Sequence, residues 1–168
     1  MVSATNRWLA ALLVVLVACA AVGAALAWRT HQDRRDARVS QERYGAVLAA
    51  ANAEATAFVN LRYDRAEQTV GAVAAGATGG FRSHYDTASG HVVRVLRRHR
   101  SSMQGHVVWS GVVQVDASHA TVIAATSGTV SNDRTGGSPV ERHYRLRLSL
   151  VAEGGRWLTS NVQFVGTS

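Results

Sequence analysis

His143-Tyr144-Arg145-Leu146-Arg147-Leu148-Ser149-Leu150 is the stretch on which the fold turns. Tyr144, Leu146, Leu148 and Leu150 point to one side of an extended chain; His143, Arg145, Arg147 and Ser149 point to the other. This period of two belongs to a strand with one buried and one wet face, the usual state of strands in an antiparallel sheet. Glu153-Gly154-Gly155 follows as a hairpin turn, so Trp157 to Val165 returns as the next strand. Working backwards, Ser131 to Pro139 (SNDRTGGSP) reads as a loop, and Thr121 to Val130 is a β-branched, small-residue strand. Asp116-Ala117-Ser118 turns the chain before it. Val107, Trp109, Val113 and Val115 alternate with His106, Val108, Ser110, Val112 and Gln114, which predicts a first long strand with Gly111 as a candidate bulge.

Upstream of Ser102 the period is 3.6. Tyr44, Val47, Leu48, Ala51, Ala55, Phe58 and Val59 recur at helical spacing, predicting an amphipathic helix that ends near Leu61 to Tyr63. Asp64 with Glu67 resembles a capping box, opening a short second helix that turns Ala66, Val70 and Val73 inward and stops at Gly76. After Gly76-Ala77-Thr78-Gly79-Gly80, a third helix places Phe81, Tyr85, Ala88, Val92, Val95, His99 and Met103 on one face. Gly90 inside it costs about 1 kcal/mol relative to alanine, so a packing or bending reason is expected there. Helices followed by hairpin-linked strands define an α+β domain, three helices packed on a four-stranded antiparallel sheet.

The N-terminal segment differs in kind. Trp8 to Trp28 (WLAALLVVLVACAAVGAALAW) carries no charge, proline or amide side chain. As a helix it spans roughly 31 Å, about the hydrocarbon thickness of a bilayer. Trp8 and Trp28, with Arg7 and Arg29 outside them, suit the two headgroup levels. The expected organisation is a tail over 1–7, a transmembrane helix over 8–28, a charged juxtamembrane stalk over 29–43 and the α+β domain over 44–168. Two processing alternatives compete with a retained anchor: cleavage after Ala25-Leu26-Ala27, and lipidation at Cys19 within Leu16-Val17-Ala18-Cys19. Arginines concentrate in the stalk, and the positive-inside rule therefore argues for a cytoplasmic domain.

The formal charge is +7 and the pI about 10.9, and all 18 basic residues are arginine. No recognised nucleic-acid motif accompanies this charge, and the apolar segment favours anionic headgroups or an acidic partner over nucleic acid. A single cysteine excludes an internal disulfide, and no Cys/His cluster or close histidine spacing suggests zinc. No cofactor is expected.

Several local strings carry a resemblance: Ala74-Ala75-Gly76-Ala77-Thr78-Gly79-Gly80-Phe81, Tyr85, Val130-Ser131-Asn132, Tyr144-Arg145-Leu146-Arg147-Leu148, and Gly155-Arg156-Trp157-Leu158. In this order, over roughly residues 44 to 165, the chain resembles the Mce-associated membrane proteins of mycobacteria and related high-GC bacteria. It departs from them at Gly80, where an acidic residue is frequent. The resemblance implies a nuclear-transport-factor-two-like cone, in which a curved sheet wraps a long helix. It also implies an accessory role beside Mce lipid-import systems, with Mce transporter components as partners and the domain extracytoplasmic. That orientation opposes the arginine count, although a domain-length tail is translocated despite moderate charge bias.

Cone folds of this kind include isomerases and cyclases that use an aspartate base with tyrosine or aspartate donors. Tyr63, Asp64, Tyr85, His143 and Tyr144 are the raw material, yet no acid–base pair is forced together by spacing, so no catalytic residue is expected. Phe58, Leu61, Phe81, Tyr85, Trp109, Tyr144, Leu146 and Phe164 are candidates to line an apolar cavity, or else simply to fill the core. Arg94, Arg97, Arg98 and Arg100 form one basic stripe and His143, Arg145 and Arg147 a second; both are candidate interaction surfaces. The expected function is a membrane-anchored, non-enzymatic accessory subunit of a lipid-transport assembly. A lipid or small apolar ligand carrier is the alternative, and a cone-fold isomerase or cyclase a further one. An enzyme requires a cavity holding a carboxylate of raised pKa, a carrier a long apolar cavity, and a scaffold an exposed interaction patch.

Overall fold

Leu146, Leu148 and Leu150 are buried to within 1% of complete exclusion from water, as the alternation of their stretch requires. Each such side chain contributes about 1.5–3 kcal/mol through burial. The computed structural model that contains them describes residues 39–167. The expected membrane span with Arg7, Trp8, Trp28 and Arg29, and the stalk up to residue 38, lie outside the described residues. Among the described residues no helix is long and apolar enough to cross a membrane.

Helix α1 runs over 39–58, α2 over Ala66–Gly76 and α3 over Gly79–Arg98, with a 3-10 turn at Tyr63–Arg65. The strands are β1 (Ser102–Val115), β2 (His119–Ser131), β3 (Val140–Glu153) and β4 (Arg156–Thr167). They form an antiparallel sheet in the order β1-β2-β3-β4, each strand beside its sequence neighbour. Gly154 (φ 57°) and Gly155 (φ 76°) make the β3–β4 turn, where the left-handed backbone favours glycine. The Ser131–Pro139 segment closes on Asn132, whose side-chain oxygen accepts from Arg134 and Thr135 N–H, with Gly136 at φ 61° after it.

Val47, Ala51 and Ala55 of α1 pack on Ala120, Val122, Ala124 and the three leucines to make the main core. A second cluster joins Ala66 and Val70 of α2 to Leu96 of α3, with Tyr85, Val92 and Val93 around it. Side-chain and backbone bonds fasten the helical layer to the sheet edges. Asn60 donates to the carbonyl of Gly105 at 2.7 Å and accepts its N–H at 3.2 Å. Met103 N–H donates to Leu61 at 2.7 Å, and Thr78 N–H donates to Thr159 on β4 at 2.8 Å. Both edges thus have part of their open hydrogen-bonding capacity covered.

Four local expectations need correction. Asp64 caps no helix: it lies in the 3-10 turn, paired with Arg62 at 2.6 Å, and α2 starts at Ala66 without a side-chain cap. On α3 Tyr85 and Val92 pack inward as expected, but at the last turn the buried position is Leu96 while Val95 is 40% exposed, and Met103 lies beyond the helix in β1. Gly90 has only ordinary contact room around it, so crowding does not account for this glycine. In β1 the irregularities fall between Val107 and Trp109 and between Val112 and Gln114, not at Gly111. Each bulge inserts a residue and re-phases the alternation. Val107, Val112 and Val115 therefore face the core, and the bulged Val108 and Val113 are 63% and 56% exposed.

Candidate functional site

The face of the sheet turned away from α1 is written by the register. Trp109 pairs with Ala125, Ala125 with Arg145, and Arg145 with Gly166, forming one row across four strands. The next row is Gly111, Ile123, Arg147 and Gln163; the one after is Gln114, Thr121, Ser149 and Asn161. None of these residues is acidic. Trp109 is 59% exposed, and its indole lies along the strand so closely that a Cβ on Gly111 would stand 2.8 Å from two ring carbons. Gly111 is thus the bed on which the ring lies. Arg145 and Arg147 are exposed on the same face two strands away, Arg145 reaching over Gly166 of β4, so an aromatic ring and two guanidinium groups flank an apolar centre on one face of the sheet. His143 stands on the same strand face, 3.5 Å from Glu141.

The other basic stripe is differently disposed. Arg97 is tied to Glu67 at 2.6 Å, and Arg94, Arg98 and Arg100 are exposed around the end of α3, Arg100 in the left-handed region at φ 44°.

The eight candidate cavity residues are not gathered into one cavity. Phe58, Tyr144 and Phe164 meet edge to face, with centroids 5.8 Å apart in each pair. Leu146 is buried in the main core. Leu61 and Tyr85 pack on the second cluster, with Phe81 5.9 Å from Tyr85. Trp109 stands on the outer face. The inward-facing members pack into different clusters, and Trp109 and Phe164 stay more than half exposed.

A buried acid was not among the candidates. Glu54 of α1 is only 3% exposed, and its Oε1 has no hydrogen-bond partner. Loss of hydration pushes its carboxyl up to about 7. It lines a cleft of about 430 Å³, walled by alanines of α1 and α2 and by Gly76, with Arg156 and Trp157 of β4 opposite. A Cβ on Gly76 would collide with Glu54 Oε2, so the bare backbone leaves the carboxyl its place. Tyr85 is pushed up to about 12, first by its own burial and then by the Glu54 charge. Among the described residues neither Glu54 nor Arg156 forms an ion pair. The signal for Glu54 was present in the sequence: with Val47, Ala51 and Phe58 it keeps the 4-3-4 spacing of the apolar stripe. Among the described residues no group of His, Cys, Asp or Glu is placed to hold a metal ion.

The model of the family described as "Uncharacterized protein Rv1363c/MT1408-like" matches residues 4–166. The chain belongs to the Rv1363c/MT1408-like family. Rv1363c of Mycobacterium tuberculosis is 25% identical over 157 residues, which cover 94% of this chain and 58% of that protein. The Rv1363c/MT1408-like chain described here therefore spans little more than half the length of that relative. Among solved structures it is similar to an IcmL-like type IV secretion system protein from Legionella pneumophila, at 12% identity and a TM-score of 0.56. That match covers 70% of this chain and 88% of the other. A ketosteroid isomerase-like protein from Erwinia carotovora matches at 25% identity and a TM-score of 0.55, over 74% and 98% of the two chains. These likenesses agree with the cone that the sequence resemblance implied, three helices on a four-stranded antiparallel sheet.

Proposed function

We propose that this Rv1363c/MT1408-like protein is a membrane-anchored, non-enzymatic accessory subunit whose cone domain docks onto a protein component of an Mce-type lipid-transport assembly. The domain is extracytoplasmic in this reading, held beside its partner by the apolar segment over residues 8–28. Tethering of this kind raises the local concentration of the docking surface without adding contacts to it.

The observation that supports docking most directly is the row Trp109–Ala125–Arg145 with Arg147 beside it, exposed and free of acidic residues. Tryptophan and arginine are the side chains most often found at the energetic centre of interfaces. The matching partner surface is acidic around an apolar centre. The Legionella likeness places the same fold in a type IV secretion system protein, which is compatible with a part in a multi-component assembly.

Against catalysis stands the isolation of Glu54. A raised pKa suits a general acid or base, but among the described residues no second titratable side chain is hydrogen-bonded to it. The test is co-purification of Mce-type transport components with the full chain from detergent-solubilised membranes. Their absence from the captured material would remove this reading.

A further inference from the structure

The cleft holding Glu54 has a chemistry that docking does not use. Glu54 lines it with a carboxylic group almost wholly excluded from water and unpartnered at Oε1, its walls are alanine methyl groups, and exposed Arg156 lines its rim. A buried carboxylate without a partner is strongly disfavoured, so it demands either a proton or a donor from outside. Alanine side chains supply neither. Arg156 presents a planar fork of donors suited to a phosphate or carboxylate, and that fork has no ionic partner among the described residues.

The two charges together select a ligand that neither selects alone. A simple cation entering toward Glu54 passes Arg156 and is repelled by it. A simple anion drawn to Arg156 meets the Glu54 carboxylate behind. A small zwitterion led by an ammonium and trailed by an anion matches both. Trp157 lines the same cleft, so the ligand's place is bordered by an aromatic residue. About 430 Å³ lies within the usual size of small-molecule sites.

We infer that the Glu54–Arg156 cleft binds a primary ammonium joined by a short linker to a phosphate ester, the ammonium donating to Glu54 and the phosphate accepting from Arg156. This chemistry occurs both as a free aminoalkyl phosphate and as the headgroup of an ethanolamine phospholipid. The site is independent of the docking face, because its residues lie on α1, α2 and the start of β4 and none belongs to the Trp109 row.

The experiment is calorimetric titration of the full chain in detergent with O-phosphoethanolamine, ethanolamine and inorganic phosphate as separate probes. The expected result is binding of phosphoethanolamine at least about tenfold tighter than either fragment, with about tenfold lost in Glu54→Gln and in Arg156→Gln while circular dichroism stays unchanged. Affinity also rises about tenfold between about pH 6 and 8, because binding takes the ionised carboxylate, and the titration releases a proton. In nanodiscs, retention of ethanolamine over choline phospholipid assigns the lipid as the source; binding of the soluble ester alone assigns the free metabolite. No binding of phosphoethanolamine, phosphate binding as tightly as phosphoethanolamine, or undiminished binding by folded Glu54→Gln would each overturn the inference. Failure of the docking test leaves these results untouched.

Discussion

Glu54 Oε2 fills the space that a side chain on Gly76 would need. The carboxyl of α1 and the bare backbone near the end of α2 are therefore one packing unit, although 22 positions separate them in sequence. Gly76→Ala forces one of the two to move, at a cost of about 1–3 kcal/mol. Glu54→Ala opens room for the methyl group, so the double variant loses less than the sum of the singles. Chemical denaturation of all four proteins measures this coupling; strictly additive losses would contradict the contact.

The same carboxyl makes stability depend on pH. In the unfolded chain its pKa is ordinary, near 4.3, while the fold raises it to about 7. The folded state therefore binds more protons between those values, and its stability falls as pH rises from about 4.3 to 7, then levels off. The full fall is about 4 kcal/mol at most. In Glu54→Gln this part of the slope is absent. Thermal melts from pH 4 to 8 give the comparison, and parallel curves for the two proteins would refute the assignment.

Gly128 faces backbone, not a flexible side chain. A Cβ there would run into the carbonyl oxygen of Gln104 and come within 2.6 Å of the Gly105 Cα. Gly128→Ala must separate β1 from β2 and is expected to destabilise by about 1–3 kcal/mol or more. Asn60→Ala, which strips both bonds from the Gly105 peptide, costs about 1–3 kcal/mol. Urea midpoints at unchanged m-value check both.

Legibility followed local period. Tyr144 to Leu150 alternates without interruption, and the buried leucines, the glycine turn after them and the antiparallel order all follow from it. β1 was harder because its two bulges shift phase mid-strand, so a strict count put Trp109 on the wrong side. On α3, Val95 and Leu96 are equally apolar, and only contact with α2 decides which is covered. Of the site, the basic face of β3 was readable as a stripe, but its union with Trp109 depends on pairing across β2. Glu54 escaped notice because alanines surround it in sequence, and its burial is created by α2 and β4.

Substitutions on the outer face separate docking from folding. Trp109 is mostly exposed, and Arg145 and Arg147 are exposed without ionic partners among the described residues. Trp109→Ser and Arg145→Glu should each change stability by less than about 1 kcal/mol, since neither empties a core position. A loss of several kcal/mol in either would mean that the row serves the fold.

The most direct measurement is quantitative capture of Mce-type transport components by the full chain and by the folded Trp109→Ser/Arg145→Glu double variant, from the same solubilised membranes. Docking through the outer sheet predicts that the full chain retains these components and that the double variant loses at least about tenfold of the signal. Equal capture by the two proteins, or no such component with either, would contradict it.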